Sequence, residues 1–266
     1  NKEGLENYDI IKKQEETEDK ASVDLNLGSI ELENFRVSYD NRSTDQLYRT
    51  QMKDMTLSGE LSKSVFSTTA TTNMKILEAR SGKITLIRNQ PARLSIKVNV
   101  NSDSSTVEIP PSTIFISELP FLFNGDVDSL GYKFNVKANK IAISDAASRF
   151  SVEQSAQVKT LEGSGYLLFD LDIEGENNNT SPAKVQCKFG VDNGFIKDPE
   201  TKVSLQKLRL DGEYSNVGGK EKEFLALRNV SFTTKGGPFA GSLHLTKFDA
   251  PHLEGNADGT INLGIL

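Results

Sequence analysis

The residue types that could do chemistry are few in this sequence, and their spacing places them on surfaces rather than in sites. The two histidines are His244 and His252. A metal-binding imidazole needs Cys, Asp, Glu or a second His at ligand spacing, and neither histidine has such a neighbour. His244 falls on the polar side of an apolar alternation, so it reads as a surface imidazole. Asp170, Asp172 and Glu174 stand two residues apart, which on a strand puts all three on one outward face as a solvated acidic stripe. A calcium site or a glycosidase pair would need carboxylates converging from different elements. Gly163-Ser-Gly165 lacks the lysine and the spacing of a phosphate loop, and neither a Gly-x-Ser-x-Gly elbow nor a His-Glu-x-x-His pair occurs. The lone cysteine, Cys187, sits in the alternation Val185, Cys187, Phe189, Val191 and reads as a small buried hydrophobe, which also excludes an internal disulfide. The chain therefore reads as non-enzymatic, with no cofactor and no metal.

Elements must then explain what the apolar residues are for. Apolar types make up 36% of the 266 residues and Trp is absent, which is thin for a core covered on both sides and suits a sheet with one wet face. The net charge of −6 disfavours nucleic acid, whose phosphates call for a Lys/Arg-rich surface. No apolar stretch is long enough for a transmembrane helix. With no initiator Met and no signal peptide, the sequence reads as a mature or truncated piece of something longer, any membrane anchor lying outside it.

Residues 1–22 are densely charged and read as a linker or frayed helix. From Val23 the period becomes two. Ile30 and Leu32, then Phe35, Val37 and Tyr39, alternate with polar residues, Asn34 marking a phase shift such as a bulge. Leu94, Ile96, Val98 and Val100 give the clearest alternation, followed by Leu167, Phe169, Leu171 and Ile173, and then by Val185 to Val191. Asp192-Asn193-Gly194 predicts a hairpin turn, because Asn-Gly readily supplies positive φ. Asn124-Gly125-Asp126, Gly218-Gly219 and Gly236-Gly237-Pro238 predict further turns, residues 175–182 a polar loop, and Pro110-Pro111 a strand break. Glycine followed by a polar–aliphatic alternation recurs at Gly28, Gly82, Gly241 and Gly259, as expected for a tight turn feeding a half-buried strand. Around Ser144 to Lys159, Ala146, Ala147 and Phe150 approach helical spacing and Ser151 with Gln154 forms a weak capping box, predicting one or two short helical turns that plug a sheet end or bridge two halves.

The expected fold is all-β and mainly antiparallel: a long curved or taco-like sheet, or a β-sandwich, with one or two short helices. Residues 23–143 are expected to form an N-terminal β segment and 144–266 a C-terminal one, either separate or continuous with the preceding sheet.

Leu161-Glu-Gly-Ser-Gly-Tyr-Leu-Leu-Phe-Asp-Leu-Asp-Ile-Glu-Gly175, Val191-Asp-Asn-Gly-Phe195, Val203 to Leu210, Leu227 to Phe232, Pro238 to Leu245, Pro251 to Gly255 and Gly259 to Leu263 carry a likeness, joined by Ile30 to Asp40. Through them the chain resembles the AsmA-like family of bacterial envelope proteins, with TamB-like and chorein-type relatives. The resemblance implies a periplasmic protein held at the inner membrane, supporting outer-membrane biogenesis, whose bent sheet holds phospholipid tails against an apolar concave face. The residues expected to line such a groove are Leu94, Ile96, Val98, Val100, Phe169, Leu171, Ile173, Val185, Phe189 and Val191. The alternative is a closed β-sandwich interaction module that binds protein or glycan through its loops.

Overall fold

The computed structural model describes residues 28–42, 46–59, 64–81, 84–149, 162–177, 181–198 and 202–260. The charged segment 1–22, Gly82, and Phe150, Ser151 and Gln154 lie outside them. Thirteen antiparallel strands follow one another as a meander: β1 (Ser29–Asn41), β2 (Gln46–Gly59), β3 (Val65–Ser81), β4 (Ile84–Asn101), β5 (Thr106–Ile116), β6 (Leu119–Val127) and β7 (Gly131–Ala142). One helix, α1 (Ile143–Arg149), precedes β8 (Glu162–Glu176), β9 (Lys184–Lys197), β10 (Ser204–Ser215), β11 (Phe224–Thr234), β12 (Gly237–Thr246) and β13 (His252–Gly259). Each strand pairs with its neighbours in sequence, in one open sheet ordered β1 to β13. Strands before and after residue 144 belong to that one sheet, because β7 pairs directly with β8. The sandwich is not the architecture formed.

Register explains why the sheet has two unlike faces. One row of direct cross-strand partners runs Ser112, Phe123, Val136, Leu171, Cys187, Tyr214, Leu225, Leu245, Leu253, from β5 to β13. A second runs Leu32, Met55, Thr72, Leu94, Ile114, Phe121, from β1 to β6. Apolar residues thus stack on one face across the whole sheet. The opposite face carries charge ladders: Asp126, Lys133, Glu174 and Lys184 are successive partners, as are Lys137, Asp170, Lys188 and Glu213. Lys137 Nζ lies 3.0 Å from Asp170 and Lys184 Nζ 3.2 Å from Glu174. Such exposed pairs are worth only ~0.2–1 kcal/mol each, and they serve the register more than the stability.

Strands of up to 18 residues would drift out of phase without correction. The correction comes from residues in the left-handed region: Asn34 (φ 51°), Asn89 (56°), Lys140 (58°), Asn193 (49°), Lys207 (53°) and Asn229 (51°). Each sits at a break in the pairing, for example between Ala138 and Ile141 or between Leu227 and Val230. The apolar partner is then found three residues on instead of two, still on the same face. The phase shift expected at Asn34 is one of these.

Several expected turns become strand interior. Asp192-Asn193-Gly194 lies inside β9, where the left-handed Asn193 makes a bulge rather than a hairpin. Asn124-Gly125-Asp126 lies inside β6, paired with Asn135, Phe134 and Lys133. Gly241 is mid-strand opposite Ala257, not a turn. Pro110-Pro111 does not end β5; proline's missing N–H is absorbed by register shifts towards β4 and β6. Turns do form where Gly218-Gly219 leads into the 3-10 turn Lys220–Lys222, and at Lys235-Gly236 between β11 and β12. Gly175 closes β8 instead of opening the polar loop.

One cluster of buried apolar residues sits under the helix. Leu119 (4% exposed), Ala138 (2%) and Ile141 pack with Phe121, Ala146, Leu167 and Phe169, so α1 rests on the apolar face where β6, β7 and β8 meet. The helix expected near residue 144 therefore plugs the sheet at this end.

Candidate functional site: an uncovered apolar face

All ten residues expected to line a groove point to the same side of the sheet. On β4, Leu94, Ile96, Val98 and Val100 stand opposite Thr72, Ala70, Thr68 and Phe66. On β8 and β9, Ile173 faces Val185, Leu171 faces Cys187 and Phe169 faces Phe189, with Val191 opposite Leu167. The β8 and β9 residues form one contiguous patch, and the β4 residues lie four strands away along the same face. Ile96 is buried, and the other nine are half-buried. Phe169 also packs beside the cluster under α1.

The half-burial has a physical reason. A core residue in a two-layer protein is covered from above by the second layer, and among the described residues α1 is the element that packs over this face. The largest side chain that is fully buried is only Thr72. Its hydroxyl, and that of Thr68, donate to the Asp54 and Ser58 carbonyl oxygens at 2.6 and 2.9 Å, so these inward polar groups are satisfied at the floor. At ~4.8 Å per strand the apolar face is about 58 Å along its arc, longer than the ~30 Å hydrocarbon core of a bilayer.

Tyr39 and Tyr48 are partners at one end of β1 and β2, their rings 5.9 Å apart, and Tyr132 begins β7. In a flat sheet β2 and β7 would be about 24 Å apart. Yet Tyr132 is close enough to help raise the Tyr48 phenol above its ordinary value, after burial, and Tyr39 does the same to Tyr132. This apolar side of the open sheet is the trough.

Its floor is smoothed by rings lying flat on glycine. A Cβ at Gly125 would fall 2.3 Å from Phe134, one at Gly175 2.2 Å from Tyr132, and one at Gly212 2.2 Å from Phe189. Each ring belongs to the residue directly opposite on the next strand. The rings lie along the sheet and leave the space above them open, a cross-strand use of glycine that also holds register. Phe232 and Phe239, also partners, stack at 4.6 Å.

Compared with known family models, curated proteins and solved structures, the chain matches none. The site is therefore read from its own chemistry. His244 is exposed beside Phe224, and His252 is exposed with a ring nitrogen 3.0 Å from Glu254. Among the described residues no three His, Cys, Asp or Glu side chains group as metal ligands, and no helix is long and apolar enough to cross a membrane. Asp170, Asp172 and Glu174 occupy the charged face. Asp170 is held below the usual carboxylate range by Asn135 and Lys137, and Glu174 by Lys184 and Lys133.

Cys187 lies on the trough floor, half-buried, and burial with the nearby Asp170 pushes its thiol up to about 11. Thiolate is the reacting form, so alkylation of native protein at pH 8 is expected to run on the order of a hundredfold slower than for a free thiol of pKa near 8.5. Iodoacetamide labelling before and after unfolding measures this, and comparable rates in the two states would contradict it.

Proposed function

We propose that this chain is a non-enzymatic lipid-carrying segment of a bacterial envelope protein, whose trough shelters phospholipid tails while headgroups stay in water. What supports the reading is one observation: apolar cross-strand partners stack on one face of a thirteen-strand open sheet, and among the described residues no second sheet covers that face. Acyl chains suit such a face, because each methylene that leaves water contributes ~0.8 kcal/mol without any directional contact. A trough that binds by area rather than by specific polar groups holds a lipid and lets it slide along the strands' common face. The charged outer face keeps the same sheet wet on its other side, as an element working in an aqueous compartment requires.

The AsmA-like resemblance extends this proposal. It puts the segment in the periplasm, tied to the inner membrane by an anchor outside these residues, where it would support outer-membrane biogenesis. Phospholipid is the partner, and no covalent step is involved.

Native mass spectrometry of protein purified without harsh detergent tests the reading. The expected spectrum shows adducts at phospholipid masses that collisional activation releases. Protein that stays free of lipid after incubation with phospholipid vesicles overturns it.

A further inference from the structure

We propose that β1 is a docking edge on which a second copy of this chain pairs, antiparallel, through its own β1. The contact lies on an edge of the sheet rather than in the trough, and it does not depend on what the trough carries.

Three features favour that occupant. First, the edge is open. β1 ends the sheet and pairs on one side only, with β2. It runs 13 residues without a proline or an inward-facing charge, two of the usual devices that keep an edge from pairing. The Gly28 carbonyl accepts from the Gly59 N–H at 3.1 Å, so residues of the inner face bond towards β2. Ser29, Glu31, Glu33, Arg36, Ser38 and Asp40, on the outer face, therefore turn their N–H and C=O groups to the free edge. Second, the apolar side chains of this edge lack a neighbour. Leu32 is 40% exposed, Val37 47% and Tyr39 46%, on a face where the interior strands hold theirs half-buried. Third, its charges match themselves. Glu33 stands directly opposite Asp54 on β2, like charge against like, and among the described residues neither Glu33 nor Arg36 makes an ion pair.

A two-fold axis normal to the sheet, passing between Asn34 and Phe35, meets all three demands. It sets Glu33 of each copy opposite Arg36 of the other. Leu32 then meets Val37 and Ile30 meets Tyr39, apolar on apolar, while Glu31 meets Ser38. The Asn34 irregularities fall together at the axis, as Asn34 and Lys53, both skipped in the pairing, already do between β1 and β2. Because the axis is normal to the sheet, both apolar faces stay on the same side and one trough continues into the other. The opposite edge does not match itself in this way. β13 carries Glu254 and Asp258 with no lysine or arginine, and its His252 already lies 3.0 Å from Glu254.

Sedimentation equilibrium of the full chain over a concentration series reads the contact. Wild type is expected to close at a particle of twice the chain's mass. Arg36→Glu sets carboxylate against carboxylate at both pairs and is expected to weaken the dimer about tenfold. Adding Glu33→Arg restores opposite charges with the signs exchanged, and is expected to recover most of that loss. Ser38→Pro removes an N–H that points to the free edge and none that bonds β2. It is expected to leave a monomer with the far-UV spectrum of the wild-type sheet. Wild type that is monomeric throughout the series, a dimer indifferent to these changes, or a double variant no tighter than Arg36→Glu overturns the proposal. So do masses that keep rising with concentration, the mark of β1 pairing head-to-tail with β13.

Discussion

If the trough carries lipid, Leu171→Asp and Val98→Asp are each expected to lower co-purifying phospholipid by at least tenfold relative to wild type while the sheet remains folded. Both residues lie on the trough floor, one on β8 opposite Cys187 and one on β4 opposite Thr68. A carboxylate there meets acyl methylenes when the trough is loaded and water when it is empty. Burying it under hydrocarbon costs several kcal/mol, against the ~1.4 kcal/mol that a tenfold loss requires. The empty sheet tolerates the same side chain because both positions are only half-buried. Lys97→Asp is the matched control, since Lys97 neighbours Val98 in sequence but is exposed on the outer face. It should keep its lipid. Wild-type lipid levels in both floor variants would show that these faces are not where tails lie.

The contrast between those neighbours was legible in the sequence. Period-two alternation around Leu94 to Val100 and Phe169 to Ile173 correctly gives strand and face, since a slip of one residue would turn every apolar side chain to the wet side. The phase shift expected at Asn34 is also real: Asn34 is left-handed, its pair is skipped, and Leu32 and Phe35, three residues apart, face Met55 and Met52. What misled was the double meaning of one local signal. Asn193-Gly194 asks for positive φ, and both a type I′ turn and a bulge satisfy that demand. The choice is made by whether the apolar pattern resumes on the same face, and Val191 to Gly194 does so with a three-residue step opposite Leu210 and Leu208. Similar steps at Ala138 to Ile141 and Leu227 to Val230 were visible in the sequence as spacing, although neither carries an Asn-Gly pair to draw attention to it. That the Tyr132 phenol acts on Tyr48 was not legible at all, because the two stand on strands far apart in sequence. Rings resting on glycines were hidden for a related reason: Phe189 and Gly212 become partners only once the register of β9 and β10 is known.

That last pairing predicts a large effect from a small change. Gly212→Val is expected to destabilise the protein by about 1–3 kcal/mol, as overpacking does elsewhere. Valine is ordinarily the better strand residue, and Gly212 is not among the glycines with positive φ, so intrinsic preference alone would predict stabilisation. The sign is reversed by Phe189, whose Cε2 and Cζ lie 2.2 and 2.3 Å from where the new Cβ would stand. The ring must lift off the floor, which exposes its lower face and pushes it into the space proposed for lipid. Phe189→Ala removes the obstacle, so adding it to Gly212→Val should cost less than Phe189→Ala does alone. Urea unfolding of the two single variants, the double variant and wild type gives the coupling directly. Strictly additive effects would mean that the ring does not rest on this glycine, and the flat floor of the trough would lose one of its supports.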